Sequence, residues 1–129
     1  MDRLSPGLFG RKEMVVEEQH LASVWGNLGV EVLSTHFVAL LMEVASRDAV
    51  ERLLEKGQMV VGTWISVRHM GAVPKGVLVR AESYLKEISG RKLTFDVSVY
   101  DPKEKIAEGR NELLIVSAHR FLERVKGKF

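Results

Sequence analysis

The sequence predicts an α+β fold in which an antiparallel sheet wraps around one long central helix. Two observations indicate this fold: a broad apolar helical pattern begins near residue 35, and four strand-like segments follow it, separated by short turns. Consecutive strands joined by short turns form an antiparallel meander. The length of 129 residues, 46% of them hydrophobic, suits a single domain, residues 1–129, with one core.

The chain before the helix carries only weak patterns. Residues 1–11 contain one proline and two glycines, which predict an irregular arm. Residues 12–18 are predicted to form a short strand, a candidate fifth strand of the sheet. Residues 25–30 contain two glycines and predict a loop that leads into the helix.

The helix is the clearest element. Ser34 or Thr35 can cap its start, because either hydroxyl can accept a hydrogen bond from a first-turn N–H group. Its predicted end is Gly57, with Lys56 favourably placed in the last turn. A helix between these limits would be roughly 33 Å long. The apolar residues expected to face the core are Phe37, Val38, Leu40, Leu41, Val44, Ala45, Ala49, Val50, Leu53 and Leu54.

Four segments after the helix are predicted to be strands, because they alternate in polarity or are rich in β-branched and aromatic residues. They are residues 58–70, 76–88, 91–101 and 105–118, and residues 119–128 are predicted to form a short C-terminal helix or tail. A helix enclosed by such a sheet is the plan of a hotdog fold, in which the sheet is the bun and the helix the sausage.

Composition excludes several kinds of site. The chain has no cysteine, so disulfides, zinc–thiolate sites and a cysteine nucleophile are excluded. This fits a cytoplasmic protein, and the scarcity of amide side chains together with 28% charged residues hints at a thermophilic source. No apolar run is long enough to span a bilayer, and no signal peptide is predicted, so no membrane partner is expected.

The charges are nearly balanced. Nineteen basic residues face seventeen acidic ones, which favours a solvated surface of mixed charge over a nucleic-acid interface. A local basic patch for a phosphorylated ligand is the alternative. Nucleic-acid binding, suggested only by the basic isoelectric point, has no stacking motif or basic stripe behind it.

Two polar side chains stand out on the helix. Glu43 lies within an apolar run, where removal from water would suit its carboxylate to act as a general base; the alternative is a partly exposed side chain paired with Arg47. Thr35 either caps the helix or offers its hydroxyl where the helix N-terminus stabilises developing negative charge. The two lie about 12 Å apart along the axis, so they can act together only through a third group or a second subunit, whose passing strand could bring a histidine.

Three further residues are candidates on the strands. His69 shares a strand face with Ile65 and Val67, so its ring is expected to point inward as an acid and base; the alternative is a surface or capping group. Gly62 marks either a bulge or a close backbone approach. Asn111 lies on an inward face, where it lines a pocket or serves structure. No spacing of histidines and carboxylates suits a metal, so no metal site is predicted.

Three separated stretches carry a resemblance to a known family. They are "LSTHFVALLME" at 33–43, "VGTWISVRHMGAVPKG" at 61–76 and "EGRNELLIV" at 108–116. Together they join a Thr to a Glu eight residues later, and a Gly–Thr strand start to a His seven residues after the Gly. From about Leu33 to Val116, the chain resembles the hotdog-fold acyl-CoA thioesterases close to the fluoroacetyl-CoA thioesterase-like branch.

This resemblance implies a thioester hydrolase that uses Thr35, Glu43 and His69 together, with Gly62 near the thioester and Asn111 as a candidate for the pocket lining. It also implies acyl-CoA as substrate, no cofactor, and a homodimer or tetramer with an active site at each end of the dimer interface, built from both chains. The candidates to meet the phosphates of the coenzyme are Lys75, Arg80, Arg91 and Lys92.

The chain departs from that branch at two places. Gly26 and Gly29 stand where relatives carry lid phenylalanines, and Asn111, Glu112 and Leu113 replace a His-Glu-Arg run. The acyl group is therefore left unassigned. The alternative function is a non-catalytic acyl-CoA-binding or regulatory hotdog module. Hydration of an enoyl thioester is a third hypothesis, but the Asp–His pair expected for it is not found.

Overall fold

One curved antiparallel sheet wraps around one helix in the computed structural model, which describes residues 3–129. The strands are β1 (Phe9–Val15), β2 (Gln58–His69), β3 (Leu78–Ser89), β4 (Lys92–Tyr100) and β5 (Lys105–Ser117), and the helices are α1 (Thr35–Val50) and α2 (Ala118–Lys128). Short 3-10 turns occupy Glu18–His20, Ala22–Trp25 and Glu51–Leu53. The predicted α+β hotdog architecture is confirmed.

The core lies between α1 and the concave face of the sheet. The predicted inward faces of β3, β4 and β5 are buried, because side chains alternate across a strand and the even spacing keeps one face apolar. From α1 they meet Val38, Leu41, Met42, Ala45 and Ala49. Leu40, predicted to face the core, is instead 53% exposed.

The predicted four-strand meander is wrong at one connection. The strand order is β1-β3-β4-β5-β2, so β3, β4 and β5 form a meander while β2 pairs only with β5, at the sheet edge opposite β1. The connection formed by residues 70–77 causes this arrangement. It passes under the start of α1 and carries the chain from β2, at one edge of the sheet, to β3, next to the opposite edge. Leu33 N donates to Val73 O at 2.8 Å, and Val32 forms a bridge with Pro74.

The predicted N-terminal arm and strand are also corrected. β1 begins at Phe9 and ends at Val15, so the strand lies earlier than predicted and the arm is shorter; Met1 and Asp2 lie outside the described residues. The misleading residue is Gly10, which serves close packing and not a turn. A Cβ built on it would lie 2.9 Å from Ala49 Cα on α1.

The helix is shorter than predicted. α1 has 16 residues, about 24 Å by its rise, and the chain tightens into a 3-10 turn after Val50 instead of continuing to Gly57. Leu53 and Leu54 still pack against the core from this turn, which is why they extended the apolar pattern. Gly57, at a φ of 86°, belongs to the turn that enters β2.

Candidate active site

A hydrogen bond joins the first residue of α1 to the last residue of β2. Thr35 Oγ1 lies 2.9 Å from His69 Nδ1. Ser34, and not Thr35, occupies the N-cap position of α1, although its side chain makes no cap bond. The hydroxyl of Thr35 bonds to the imidazole and not to the helix backbone. A strand of a second chain is therefore not needed to bring a histidine to Thr35, since His69 of the same chain reaches it.

The second ring nitrogen of His69 faces a different environment. Nε2 is buried, and no group among residues 3–129 forms a hydrogen bond with it. A buried imidazole nitrogen without a partner is unfavourable, and such groups concentrate at functional sites. The first-turn N–H groups of α1 also lack intrahelical acceptors. A hydroxyl, an imidazole and a helix N-terminus thus converge where an anion can be stabilised.

Glu43 and Gly62 form a second cluster. The half-buried Glu43 side chain lies directly over Gly62, because a Cβ built on Gly62 would be 2.6 Å from Glu43 Cδ and 2.7 Å from Oε2. The register of β2 shifts between Gly62 and Trp64, so a bulge opens the strand at this point. The alternative ion pair of Glu43 with Arg47 does not form, since Arg47 Nε lies 3.8 Å from Glu51 Oε2.

The two clusters are separate within one chain. Thr35 and Glu43 are about 12 Å apart along α1, and Gly62 and His69 are roughly 20 Å apart along β2. The structure therefore brings Thr35 and His69 together at the C-terminal end of β2. Glu43 lies with Gly62 in the N-terminal half of that strand.

Asn111 supports β2 beside the bulge. Its side chain is fully buried, and Nδ2 donates to Trp64 O at 2.9 Å. This bond satisfies a carbonyl next to the register shift. Asn111 Oδ1 is buried, and the described part of the chain offers it no donor. Asn111 thus makes the contact expected of a structural residue. Its side-chain oxygen can still accept a hydrogen bond, as a pocket-lining residue would require.

An aromatic group beside Thr35 was missed from sequence. Trp25 packs edge-on to His36, with ring centroids 5.2 Å apart, and its Nε1 donates to Gln19 O at 2.8 Å. Phe37 contacts both Trp25 and His36. The positive φ of Gly26, 108°, turns the chain just after Trp25. A large aromatic followed by a turn glycine was the available signal.

Two absences hold for the described residues. No group of three or more His, Asp or Glu side chains in residues 3–129 is placed to hold a metal ion. In the same range, no helix has both the length and the apolar character needed to cross a membrane.

Comparison with known proteins places this geometry in context. A sequence model of a family described as fluoroacetyl-CoA-specific thioesterase matches residues 16–119. A fluoroacetyl-CoA thioesterase from Streptantibioticus cattleyicolor is 35% identical over 98 residues, which cover 76% of this chain and 70% of that protein.

Solved structures agree with the match in sequence. A crystal structure of a point mutant of the fluoroacetyl-CoA-specific thioesterase FlK superposes with a TM-score of 0.91 at 28% identity, over 100% of both chains. A thioesterase superfamily member from Thermus thermophilus, 24% identical, gives a TM-score of 0.89 over 99% of this chain and 97% of its own, and supports the fold.

Proposed function

The chain belongs to the fluoroacetyl-CoA-specific thioesterase family and is a thioester hydrolase, and from this premise we propose that it hydrolyses acyl-CoA with Thr35, Glu43 and His69 in a site shared by two copies. The observation that carries the proposal is the hydrogen bond of 2.9 Å between Thr35 Oγ1 and His69 Nδ1. It joins a hydroxyl and an acid–base group at the N-terminus of α1.

A second copy supplies the missing carboxylate. β2 pairs with β5 on one side only, and an unpaired strand edge is a template for another strand. When two copies join antiparallel through β2 about a two-fold axis, the Gly62 half of one strand lies beside the His69 end of the other. Glu43 of one copy then approaches the Thr35–His69 pair of its partner, and two equivalent sites form.

The reaction requires only water and the thioester. Glu43 takes a proton from water as the water oxygen attacks the thioester carbonyl carbon, and the first-turn N–H groups of α1 stabilise the oxyanion. When the tetrahedral intermediate collapses, the C–S bond breaks and the leaving thiolate accepts a hydrogen bond from His69 Nε2–H. The proton held by Glu43 then passes to the sulfur, leaving free CoA and a carboxylic acid.

Thr35 has two roles that fit the same geometry. It orients the attacking water while donating to His69 Nδ1, or its oxygen attacks and passes its proton to Nδ1, which forms an acyl-threonine that water then hydrolyses. Rapid acid quench followed by mass measurement of the intact protein separates the two, because only the second adds the mass of the acyl group.

Mixing two inactive variants tests the shared site. In a mixed dimer of Glu43→Gln and His69→Ala, one site carries both changes and the other carries neither. Co-refolding the two variants in equal amounts should therefore recover about a quarter of wild-type thiol release, since half of the dimers are mixed and each has one intact site. Recovery of no activity, with dimers present, would show that each site belongs to one chain.

The relatives indicate which acyl groups to test first. The curated relative is named for fluoroacetyl-CoA, and one structure of FlK holds acetyl-CoA. Short acyl-CoAs are therefore the first substrates to assay, followed by branched and aryl thioesters. Saturable binding of every acyl-CoA without thiol release would favour the non-catalytic binding module instead.

A further inference from the structure

We propose that a groove between α2 and the outer face of β5 binds the phosphate groups of a nucleotide. The groove has a volume of about 290 Å³, and Thr35, His69 and Glu43 are not among its lining residues. Its lining includes Arg91, Arg120, Arg124, Leu114, Val116 and Phe121. A second cavity, also about 290 Å³, shares Arg91 and Val116 with it and extends it to Lys56. We call the two together the basic groove.

Backbone hydrogen bonds bring these cations together from distant parts of the sequence. Arg91 lies in the turn between β3 and β4, and its carbonyl accepts from Ile115 N at 2.9 Å, which anchors the turn on β5. Ala118 N donates to Gly57 O at 2.9 Å, which fixes the start of α2 beside the turn that carries Lys56.

The first turn of α2 orients the remaining two cations. Ser117 Oγ accepts from Arg120 N at 3.3 Å and caps the helix. Arg120 and Arg124 are one turn apart on this helix, so their side chains share a face. Like charges at this spacing repel each other and destabilise an isolated helix.

The cations of the basic groove differ from the other candidate phosphate contacts in their ion pairs. Within residues 3–129, none of its four cations forms an ion pair, whereas all three other candidates for phosphate contact do. Lys75 pairs with Glu18 at 3.2 Å, and Arg80 pairs with Glu82 at 2.6 Å. Lys92 lies 4.0 Å from Glu112. Of the four cations proposed from sequence, only Arg91 therefore has no ion-pair partner among residues 3–129.

The composition of the basic groove indicates the class of ligand. Guanidinium groups bind phosphate oxygens through paired hydrogen bonds, and three of them suit a ligand with more than one phosphate charge. Leu114, Val116 and the half-buried Phe121 form an apolar surface beside them, which suits a nucleobase. A nucleotide carries both features.

The nucleotide has two sources, and one depends on the proposed function. Gln58, at the rim of the groove, lies four residues before Gly62 on β2, about 13 Å along the strand. An extended pantetheine arm is long enough to cross this distance, so the nucleotide end of CoA can occupy the groove while the thioester lies near Gly62. The other source is a free nucleotide that binds independently of the reaction.

Titration calorimetry with the double variant Arg120→Ala/Arg124→Ala tests phosphate recognition without requiring turnover. The probes are CoA, ADP and pyrophosphate at low ionic strength. The matched control is Arg110→Ala, which removes a cation from the outer face of the same β5 and leaves the basic groove intact; Arg110 pairs with Asp96 at 3.2 Å. The double variant should bind at least one probe about tenfold more weakly, and the control should match wild type.

Steady-state kinetics then distinguish the two sources. If CoA is the ligand, the double variant has a raised KM for acyl-CoA with unchanged kcat, and its hydrolysis of acyl-pantetheine equals that of wild type. If a free nucleotide is the ligand, ADP binding weakens while the KM for acyl-CoA is unchanged. Equal binding of all three probes by wild type and the double variant overturns the proposal. If the wild-type protein hydrolyses no acyl-CoA but the double variant still binds CoA more weakly than wild type, only the thioesterase mechanism is refuted.

Discussion

Thr35 Oγ1 and His69 Nδ1 are 2.9 Å apart, although 34 residues separate them in the chain. Each lies at the end of a regular element, Thr35 at the start of α1 and His69 at the end of β2. Because regular elements hold their terminal residues in defined positions, the pair is oriented by the fold before any substrate binds.

Substitution of this pair should lower turnover without unfolding the protein. Replacing His69 by Ala is expected to reduce kcat by about 10²–10⁴-fold, the usual contribution of a general acid–base group. Thr35→Ala should reduce it as well, whereas Thr35→Ser keeps the hydroxyl and most of the activity. Thiol release from acyl-CoA measures the effect. Unchanged kcat in both alanine variants would contradict the assigned roles.

Replacement by alanine should affect activity at one glycine and stability at another. Gly62→Ala places a methyl group against the Glu43 carboxylate, the flexible end of a side chain, so it should displace Glu43 and lower kcat with little loss of stability. Gly10→Ala places it against the backbone of α1 near Ala49, which cannot move alone. That variant should lose about 1–3 kcal/mol of unfolding free energy.

Thermal and denaturant unfolding of the two variants, beside their kcat values, separates these effects. Glu43→Gln in the Gly62→Ala background is the control, because little further activity should be lost once the carboxylate is displaced. Equal destabilisation by both alanines would contradict the difference between the two sites.

Asn111 should contribute to stability through its bond to the Trp64 carbonyl. Asn111→Ala leaves that buried acceptor without its donor and opens space, so the unfolding free energy should fall by about 1–3 kcal/mol. Urea unfolding measures the change. Asn111→Asp retains the shape but removes the NH2 donor, and it should be destabilised at least as much. No loss in either variant would show that the bond to Trp64 is unimportant.

The β2 edge should control assembly. Trp64 is 50% exposed near the middle of the unpaired edge strand, and Trp64→Glu would bring two like charges together across a two-fold axis. Sedimentation should show two copies for wild type and one for this variant. Leu122→Glu is the control, since Leu122 is similarly exposed, at 54%, but lies on α2. A Trp64→Glu protein of unchanged mass would remove the basis of the shared site.

The strands were predictable because their side chains alternate over long segments. Leu93, Phe95, Val97 and Val99 have one register that buries them all, and β4 adopts it. The position of β2 was not predictable in this way, because alternation shows that a strand exists and not which neighbour it selects. The crossover depends on backbone bonds such as that from Leu33 N to Val73 O, which leave no pattern in the side chains.

The membership of the candidate site stays a prediction, and its arrangement followed from the sequence only in part. The helical rise separates Thr35 from Glu43, and that separation follows from sequence spacing alone. The contact of Thr35 with His69 depends on where β2 ends relative to α1, which is a property of the tertiary fold. Apart from Arg91, the cations of the basic groove were missed for the same reason, since Arg91 and Arg120 become neighbours only when α2 docks on β5.

The crossover after His69 limits how this protein can vary in length. Met70 N donates to Ile106 O at 2.7 Å, and Leu33 N donates to Val73 O at 2.8 Å, so the crossover is tied at its start and its middle, within a few residues of Thr35 and His69. Insertions or deletions there would shift the imidazole relative to the hydroxyl. The exposed turn at residues 101–104 carries no such tie to Thr35, and homologues should tolerate extra residues at that turn far more readily.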